Sequence, residues 1–585
     1  MISYINTFYN CLLYNILSCR LLFLIKYCAC LGFGIQSSGM ISLTKTQITN
    51  GAKLLVDLLT AHGVNTIFGY PGAAVLPVYD ELSKQNRIKH YLCRHEQAAV
   101  HAAAGYARVS RKPGVVLVTS GPGATNTVTG ILNANSDNVP LIVIAGQCEE
   151  LGCNNFQEAD MSSIVSSCTK KTFLIKSEEE ISAVISQAFE TAIKPPMGSV
   201  VVSVLKSVLV KTFEYSMPEN KYIPSFNVGV KQSEIFHLLD ILKSAKRPSI
   251  LVGGGAYEAV SMIREFVHMS NIPVVHTLMG KGIVDELSLG MIGVNGSNLA
   301  NSVIEDTDAL MVLGARLDSR ITGITEKYLP QTKIININLE KNTTSNVDVY
   351  QEIIGDLKIV LQQILDKIKS ENIVLHQKYD WIDKIDYLKN LYSKENHSFV
   401  SSNSEGLVTE KVLNIIYNHT KKYNPIVTTD VGQHQILASK IFESKTPYNF
   451  LTSGGLGAMG FGFPAAIGAH IAKPDSLILN ITGDGSFQMN MQELGTCLEY
   501  KIPVKIIVMN NSSLGLIKQS QAKYYGNRFY QSDMVNPDFV KIASAYGIQG
   551  VSITTSDELE QALNKYIISD APVLFDIHTI SAELV

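Results

Sequence analysis

Residues 477–511 read strand, glycine turn, helix, strand. The apolar run Leu477-Ile478-Leu479-Asn480-Ile481-Thr482 leads into Gly483-Asp484-Gly485-Ser486. A helical stretch follows, and Val504-Lys505-Ile506-Ile507-Val508-Met509 ends in Asn510-Asn511. Two strands joined through a helix of this length run parallel. Asp484 then lies just past the carboxyl end of one strand and Asn511 just past the other, on the sheet edge where open α/β folds bind ligands. Gly483 and Gly485 are expected to turn the backbone tightly and bring it close to a phosphate. A helix opening near Ser486 points backbone N–H groups at that phosphate. The Asp484 carboxylate and the Asn511 side-chain carbonyl are hard oxygens, suited to a magnesium ion that also holds phosphate oxygens. Gly-Asp-Gly-Ser alone is equally a βαβ turn with a capping aspartate; Asn510-Asn511 at the end of the next strand shifts the balance towards a ligand site.

The same alternation runs through most of the chain. At 585 residues it is too long for one hydrophobic core. Residues 41–212 form a first domain, opening on an amphipathic helix at 50–62 with the stripe Ala52, Leu54, Leu55, Leu58, Leu59. Its expected strands are 66–68, 91–93, 115–119, 141–145 and 199–202. Residues 231–370 form a second, with strands at 249–252, 309–313 and 333–338, the first two running into Gly253-Gly254-Gly255 and Gly314-Ala315-Arg316. Residues 371–405 are charged, carry the single tryptophan Trp381, and read as a connector. Residues 406–585 form the third domain. Apolar strands interleaved with helices predict an α/β protein of three doubly wound parallel sheets.

A net charge of -3 gives no electrostatic footprint for nucleic acid. Nine cysteines without a CxxC pair fit a reducing compartment and no structural metal. Residues 1–40 stand apart: apolar runs broken by Asn, Ser and Thr, with Arg20 and Lys26 the only charges before Ser37. No membrane span or secretory signal is expected from them; they read as a leader, or as an upstream start not used ahead of Met40.

Glu96 follows an expected strand and opens a helix. By position alone it is a carboxylate favoured by the helix dipole. Its setting points further. Tyr70-Pro71-Gly72, Arg94-His95-Glu96-Gln97-Ala98-Ala99, Thr119-Ser120-Gly121-Pro122-Gly123-Ala124-Thr125-Asn126, Asp430-Val431-Gly432-Gln433-His434 and Gly454-Gly455-Leu456-Gly457-Ala458-Met459-Gly460 resemble, in order, the large catalytic subunit family of acetohydroxyacid (acetolactate) synthase. The 483–511 stretch resembles the thiamine diphosphate motif of that family. The likeness extends from about Thr49 into the third domain, leaving out the leader and the connector.

The resemblance implies a carboligase that decarboxylates pyruvate and joins the two-carbon unit to a second pyruvate or to 2-oxobutyrate, the first common step of branched-chain amino-acid synthesis. It implies a pyrimidine-binding first domain, an FAD-associated second and a diphosphate-binding third. Glu96 matches the carboxylate that shares a proton with the cofactor's aminopyrimidine, a role favoured by a dry pocket. Phe156, Gln157 and Lys206 match further active-site positions. Gln433, His434, Gly457, Ala458, Met459, Asp484, Gly485, Ser486, Asn511 and Leu516 match thiamine diphosphate contacts; Asp484, Asn511 and the Ser513 carbonyl match the Mg²⁺ ligands. The flavin contacts fall on Gly254, Thr277, Leu278, Gly293, Asn295, Gly314, Ala315, Arg316, Leu317, Asp318, Asn338, Leu339 and Asp356, with FAD structural because the reaction is not a net oxidation. A homodimer or larger assembly with shared sites is implied, with a small regulatory subunit.

Several positions depart from the family pattern. Ala73 stands for a second glycine, the loop from Gln147 to Phe156 is shorter, Pro196 stands for a flavin-contacting arginine and Asn338 for an aspartate. Ser520 stands where relatives carry a tryptophan lining the acceptor pocket, and losing an indole removes a large contact surface. Weak preference for 2-oxobutyrate and low sensitivity to sulfonylurea-type inhibitors are expected. Another thiamine diphosphate enzyme such as a pyruvate oxidase, and a non-catalytic paralogue, stay open on the sequence. A composition rich in Ile, Asn, Lys, Ser and Tyr points to an AT-biased genome, and so to a plastid stroma or a bacterial cytoplasm.

Overall fold

The structure is a computed structural model that describes residues 47–149, 155–215, 229–342, 344–375, 379–395 and 406–580. The leader 1–40 lies outside the described residues. Three six-stranded sheets, parallel at every pairing, dominate the chain.

The first sheet contains β1 (Thr66–Gly69), β2 (Lys89–Leu92), β3 (Gly114–Val118), β4 (Leu141–Gln147), β5 (Lys171–Ile175) and β6 (Ser199–Leu205), in the order β2-β1-β3-β4-β6-β5. The third contains β13 (Ile426–Thr429), β14 (Phe450–Thr452), β15 (Ile478–Gly483), β16 (Lys505–Asn510), β17 (Gln549–Ile553) and β18 (Val573–His578), in the order β14-β13-β15-β16-β18-β17. Counted within each domain, both orders are the same. Between them lie β7 (Pro248–Val252), β8 (Val274–His276), β9 (Ser288–Met291), β10 (Ala309–Leu313), β11 (Lys333–Asn338) and β12 (Val349–Ile354), in the order β9-β8-β7-β10-β11-β12. This is the doubly wound dinucleotide-binding order, with its crevice where the winding reverses, between β7 and β10.

Central strands are apolar throughout because both faces are covered: β3, β7 and β10 are buried at every residue. Edge strand β5 reads exposed at Lys171 and buried only at Ile175, so its pattern was too mixed to be read from the sequence. Strands β8, β9 and β12 were missed for the related reason that they are short or half-exposed. The opening helix is observed at Gly51–Ala61, with Asn50 as its cap.

Two helices weld the first domain to the third. Helix α1 (Glu96–Ser110) crosses helix α2 (Gly462–Ala472) in a shared core with Ala99, Ala103, Phe461 and Ala465. A methyl on Gly105 would sit 2.2 Å from the Ala465 carbonyl oxygen, and one on Gly468 would sit 1.8 Å from that of Ala102. Only hydrogen fits at either crossing point. At the far end of α1, Arg108 donates to the Thr452 carbonyl at 2.7 Å and pairs with Asp137 at 2.6 Å. Asp137 also accepts from the N–H groups of Gly454 and Gly455.

Within the expected connector, helix Tyr379–Glu395 is docked on the second domain. Trp381 is buried, its indole N–H donates to the Pro248 carbonyl at 3.0 Å, and Ile385 and Leu388 pack with it against Val303.

Candidate active site

The ends of β13, β15 and β16 meet at one edge of the third sheet. Asp484 opens helix Asp484–Asn490 with Gly483 as its cap, so the helix begins earlier than Ser486, and the crossover is broken into that helix, a 3-10 turn at Met491–Glu493 and helix Leu494–Tyr500. The expected tight glycine turn is not what the backbone does. Gly483 has φ -83°, which any residue adopts. What the glycines supply is space: a methyl on Gly485 would meet Leu514 at 3.0 Å and Met534 at 3.3 Å.

Asp484 is 2% exposed. Its Oδ1 accepts from the Gly485 N–H at 2.9 Å and its Oδ2 from the Asn536 amide at 2.7 Å. Burial pushes its carboxyl above the ordinary value, and these donors pull against that. Asn536 was not anticipated; it also donates to Asn510 at 2.9 Å, and Asn510 in turn donates to Asp576. Asn510 is thereby tied inward. The Asn511 carbonyl instead accepts from the N–H and hydroxyl of Ser513 at 3.1 and 3.2 Å. Adjacent asparagines on an extended chain point to opposite sides, which leaves Asn511 the outward member.

Helix Gln433–Ile441 brings Gln433 and His434 to the same edge. A methyl on Gly515 would lie 2.0 Å from Gln433 Oε1 and 3.0 Å from Asn511 Nδ2, so these side chains converge. Burial pushes the His434 imidazole down to about 4. Its Nε2 is buried without a protein partner, and the ring lies 3.2 Å from where a Gly483 side chain would begin. A buried polar atom without a partner is costly, and this one lies beside Gly483, next to the Asp484 carboxylate. The site therefore fits a diphosphate with a cation.

The turn 453–460 closes one side. Ala458 is buried, its N–H donating to Ser453, and Met459 reaches towards Gly485. Gly457 (φ 73°) lies beside the Arg320 guanidinium of the second domain. Ser486 is buried; Leu516 is half-buried on helix Gly515–Tyr524, which buries none of its residues.

Glu96 opens α1, with His95 as its cap. Its Oε2 accepts from the Asn126 amide at 2.9 Å, and Oε1 adjoins Gly123. Within this chain it is half-buried, so the dry pocket expected for it is not closed by its own domain. Phe156 is 89% exposed, Lys206 is exposed, and Gln157 (φ 59°) borders Gly121; these three are not drawn into the Asp484 group. The shortened loop lies partly outside the described residues.

Every expected flavin position falls on the carboxyl edge of the second sheet. Gly254 follows β7, and Thr277 follows β8 and caps the turn Leu278–Gly280. Gly293 and Asn295 follow β9, with Gly293 (φ 107°) donating to Asn301. Gly314, Ala315, Arg316, Leu317 and Asp318 follow β10. Asn338 ends β11, donates to the Ala315 carbonyl at 3.2 Å and accepts from Leu339, while Asp356 follows β12 and caps the next helix. At the crevice a methyl on Gly253 would strike Ala315 and the Gly314 carbonyl, so the ends of β7 and β10 pack closely against each other there.

Buried Glu493 is a further titratable group beside this assembly. Burial pushes it up to about 7, with Thr496 and Arg94 opposing and Cys93 and Cys497 alongside. The folded carboxyl keeps its proton to about pH 7 while the unfolded one loses it near 4.5, so stability falls as pH rises through that window. Glu493→Gln is expected to raise the unfolding free energy by about 3 kcal/mol at pH 8 and by little at pH 4, measured by denaturant titration.

Three family models match the chain, all of thiamine pyrophosphate enzymes: the N-terminal binding domain over residues 49–164, the central domain over 235–364 and the C-terminal binding domain over 430–577. The fold and the diphosphate cradle thus define a thiamine pyrophosphate enzyme. The chain is 40% identical to the acetolactate synthase large subunit of Cyanidium caldarium over 559 residues, 92% of this chain and 94% of that one. It is 40% identical to the Haemophilus influenzae large subunit over 550 residues (91% and 95%), and 36% identical to the Escherichia coli isozyme 2 large subunit over 541 residues (90% and 95%). The chain belongs to the acetolactate synthase large-subunit family.

Proposed function

We propose that the chain is the catalytic subunit of an acetolactate synthase, which decarboxylates pyruvate and ligates the two-carbon unit to a second pyruvate or to 2-oxobutyrate. The observation that carries this reading is the convergence of His434, Asp484 and Asn511 on one sheet edge in a chain alike to large subunits over nearly its whole length. Thiamine diphosphate, when bound, supplies a nucleophilic carbon and an electron sink for the departing carboxylate. His434 and Gln433 would hold its diphosphate. Asp484, Asn511 and the Ser513 carbonyl would hold Mg²⁺, hard oxygens matching a hard ion. Gly457, Ala458 and Met459 would border its pyrimidine. Asn126 occupies Glu96 Oε2, leaving Oε1 to carry the proton shared with the pyrimidine ring.

The residues at the carboxyl edge of the second sheet, beside the β7/β10 crevice, would hold FAD, in a structural role. A second copy of the chain completes each site, which accounts for a half-buried Glu96 and a helix Gly515–Tyr524 with no buried residue. The relatives' designation as large subunits supports a smaller regulatory partner. Among the described residues no helix is long and apolar enough to cross a membrane. A red-algal relative and the AT-biased composition support a plastid stroma, with a bacterial cytoplasm as the other source; fractionating the source cells decides between them.

The test is product analysis from pyruvate with thiamine diphosphate, Mg²⁺ and FAD. Acetolactate supports the reading. Acetate or acetyl phosphate with peroxide points to an oxidase, and no product from the loaded protein to a non-catalytic paralogue. Ser520 donates its hydroxyl to the Leu516 carbonyl at 3.0 Å and so offers no apolar surface to an acceptor. In competition assays 2-oxobutyrate is expected to gain little over pyruvate, and Ser520→Trp to raise its preference roughly tenfold, the worth of one added apolar contact.

A further inference from the structure

The backbone that presents Glu96 is held from outside its own domain. Glu493 lies on the turn Met491–Glu493, directly after the helix that Asp484 opens, and is 0% exposed. Its Oε1 accepts from the backbone N–H of Arg94 at 2.8 Å, two positions before Glu96, and its Oε2 accepts from the Thr496 hydroxyl at 2.7 Å. The adjoining helix Leu494–Tyr500 grips the same strand end. The Tyr500 hydroxyl accepts from the Leu92 N–H at 2.9 Å, the Thr496 hydroxyl lies 3.1 Å from the Leu92 carbonyl, and Glu499 pairs with the Arg94 guanidinium at 2.7 Å. Burying a carboxyl is unfavourable unless its hydrogen bonds are needed, and the diphosphate cradle makes no use of this one.

We propose that Glu493 is a positioning residue for Glu96: it fixes the turn that carries Glu96 by accepting from the Arg94 N–H, and the hydrogen bond rather than the charge does this. The proposal rests on the role of Glu96 given above. Glutamine can replace glutamate in both contacts, its carbonyl facing the Arg94 N–H and its amide facing Thr496. Alanine leaves the Arg94 N–H without its acceptor.

The test compares full-length wild type, Glu493→Gln and Glu493→Ala. Without cofactors, amide hydrogen exchange is followed over the peptide containing residues 92–96. Glu493→Ala is expected to exchange there about tenfold faster, with 478–483 unchanged, and Glu493→Gln to exchange no faster than wild type. With cofactors, Glu493→Ala is expected to lose about tenfold or more in kcat at an unchanged KM for pyruvate, and Glu493→Gln to keep both from pH 7 to 8. Wild-type protection and kcat in Glu493→Ala would overturn the proposal, as would equal damage in Glu493→Gln, which would assign the effect to charge. Should Glu493→Ala not fold, Glu493→Asp, one methylene short of Arg94, takes its place with the same expectations. A wild type that forms no acetolactate overturns the functional reading instead, and the exchange measurement still decides the latch.

Discussion

Glu96→Gln forms acetolactate at a rate lower by 10²–10⁴-fold, the usual span for loss of a positioned acid–base group. The substitution keeps the side-chain shape and removes the carboxyl's capacity to take up and release a proton. Asn126 now faces an amide or its carbonyl, and a flip restores that contact, so the fold is unaffected. Thiamine diphosphate binding is expected to change by less than tenfold, because the diphosphate cradle belongs entirely to the third domain. Separate titration of binding and measurement of kcat therefore isolate the carboxyl's part. A variant with more than a tenth of wild-type kcat would refute the role given to Glu96.

Gly468→Ala is expected to cost about 3 kcal/mol of stability or more. The added methyl falls 1.8 Å from the Ala102 carbonyl oxygen and 2.7 Å from the Tyr106 N–H, both backbone atoms of α1 that cannot rotate away. Helix propensity alone would favour alanine by about 1 kcal/mol, so the sign of the result tests which effect wins; overpacking of a rigid contact is the larger. Denaturant titration reads it directly. Gly229→Ala, where a methyl meets only Ile359 at 4.0 Å, is the matched control and is expected to change stability by about 0.5 kcal/mol or less.

The central strands were legible because parallel central strands are continuous apolar runs, and the ends of such runs mark the sheet edge where Asp484 and Asn511 lie. Gln433 was reached only through the family resemblance, whereas Asp484 and Asn511 each announce themselves by following such a run. Edge strand β5 did not, because only one of its faces is covered. Asn126, Asn536 and Glu493 also escaped, since each acts through a partner remote in sequence: Glu96, Asp484 and Arg94 lie 30, 52 and 399 positions away. No local pattern encodes such a pairing. The reading of Gly483 as a conformational turn failed because sequence cannot separate a glycine needed for its dihedral angles from one needed for room.

The crossing of α1 and α2 has a meaning beyond packing. Each helix follows the second strand of its own sheet, the two sheets share one strand order, and the contact is reciprocal: Gly105 meets the carbonyl three residues before Gly468, and Gly468 meets the carbonyl three residues before Gly105. Reciprocity of this kind belongs to a twofold axis between identical partners. Here both partners lie in one polypeptide, as a symmetric pair would after gene duplication and fusion.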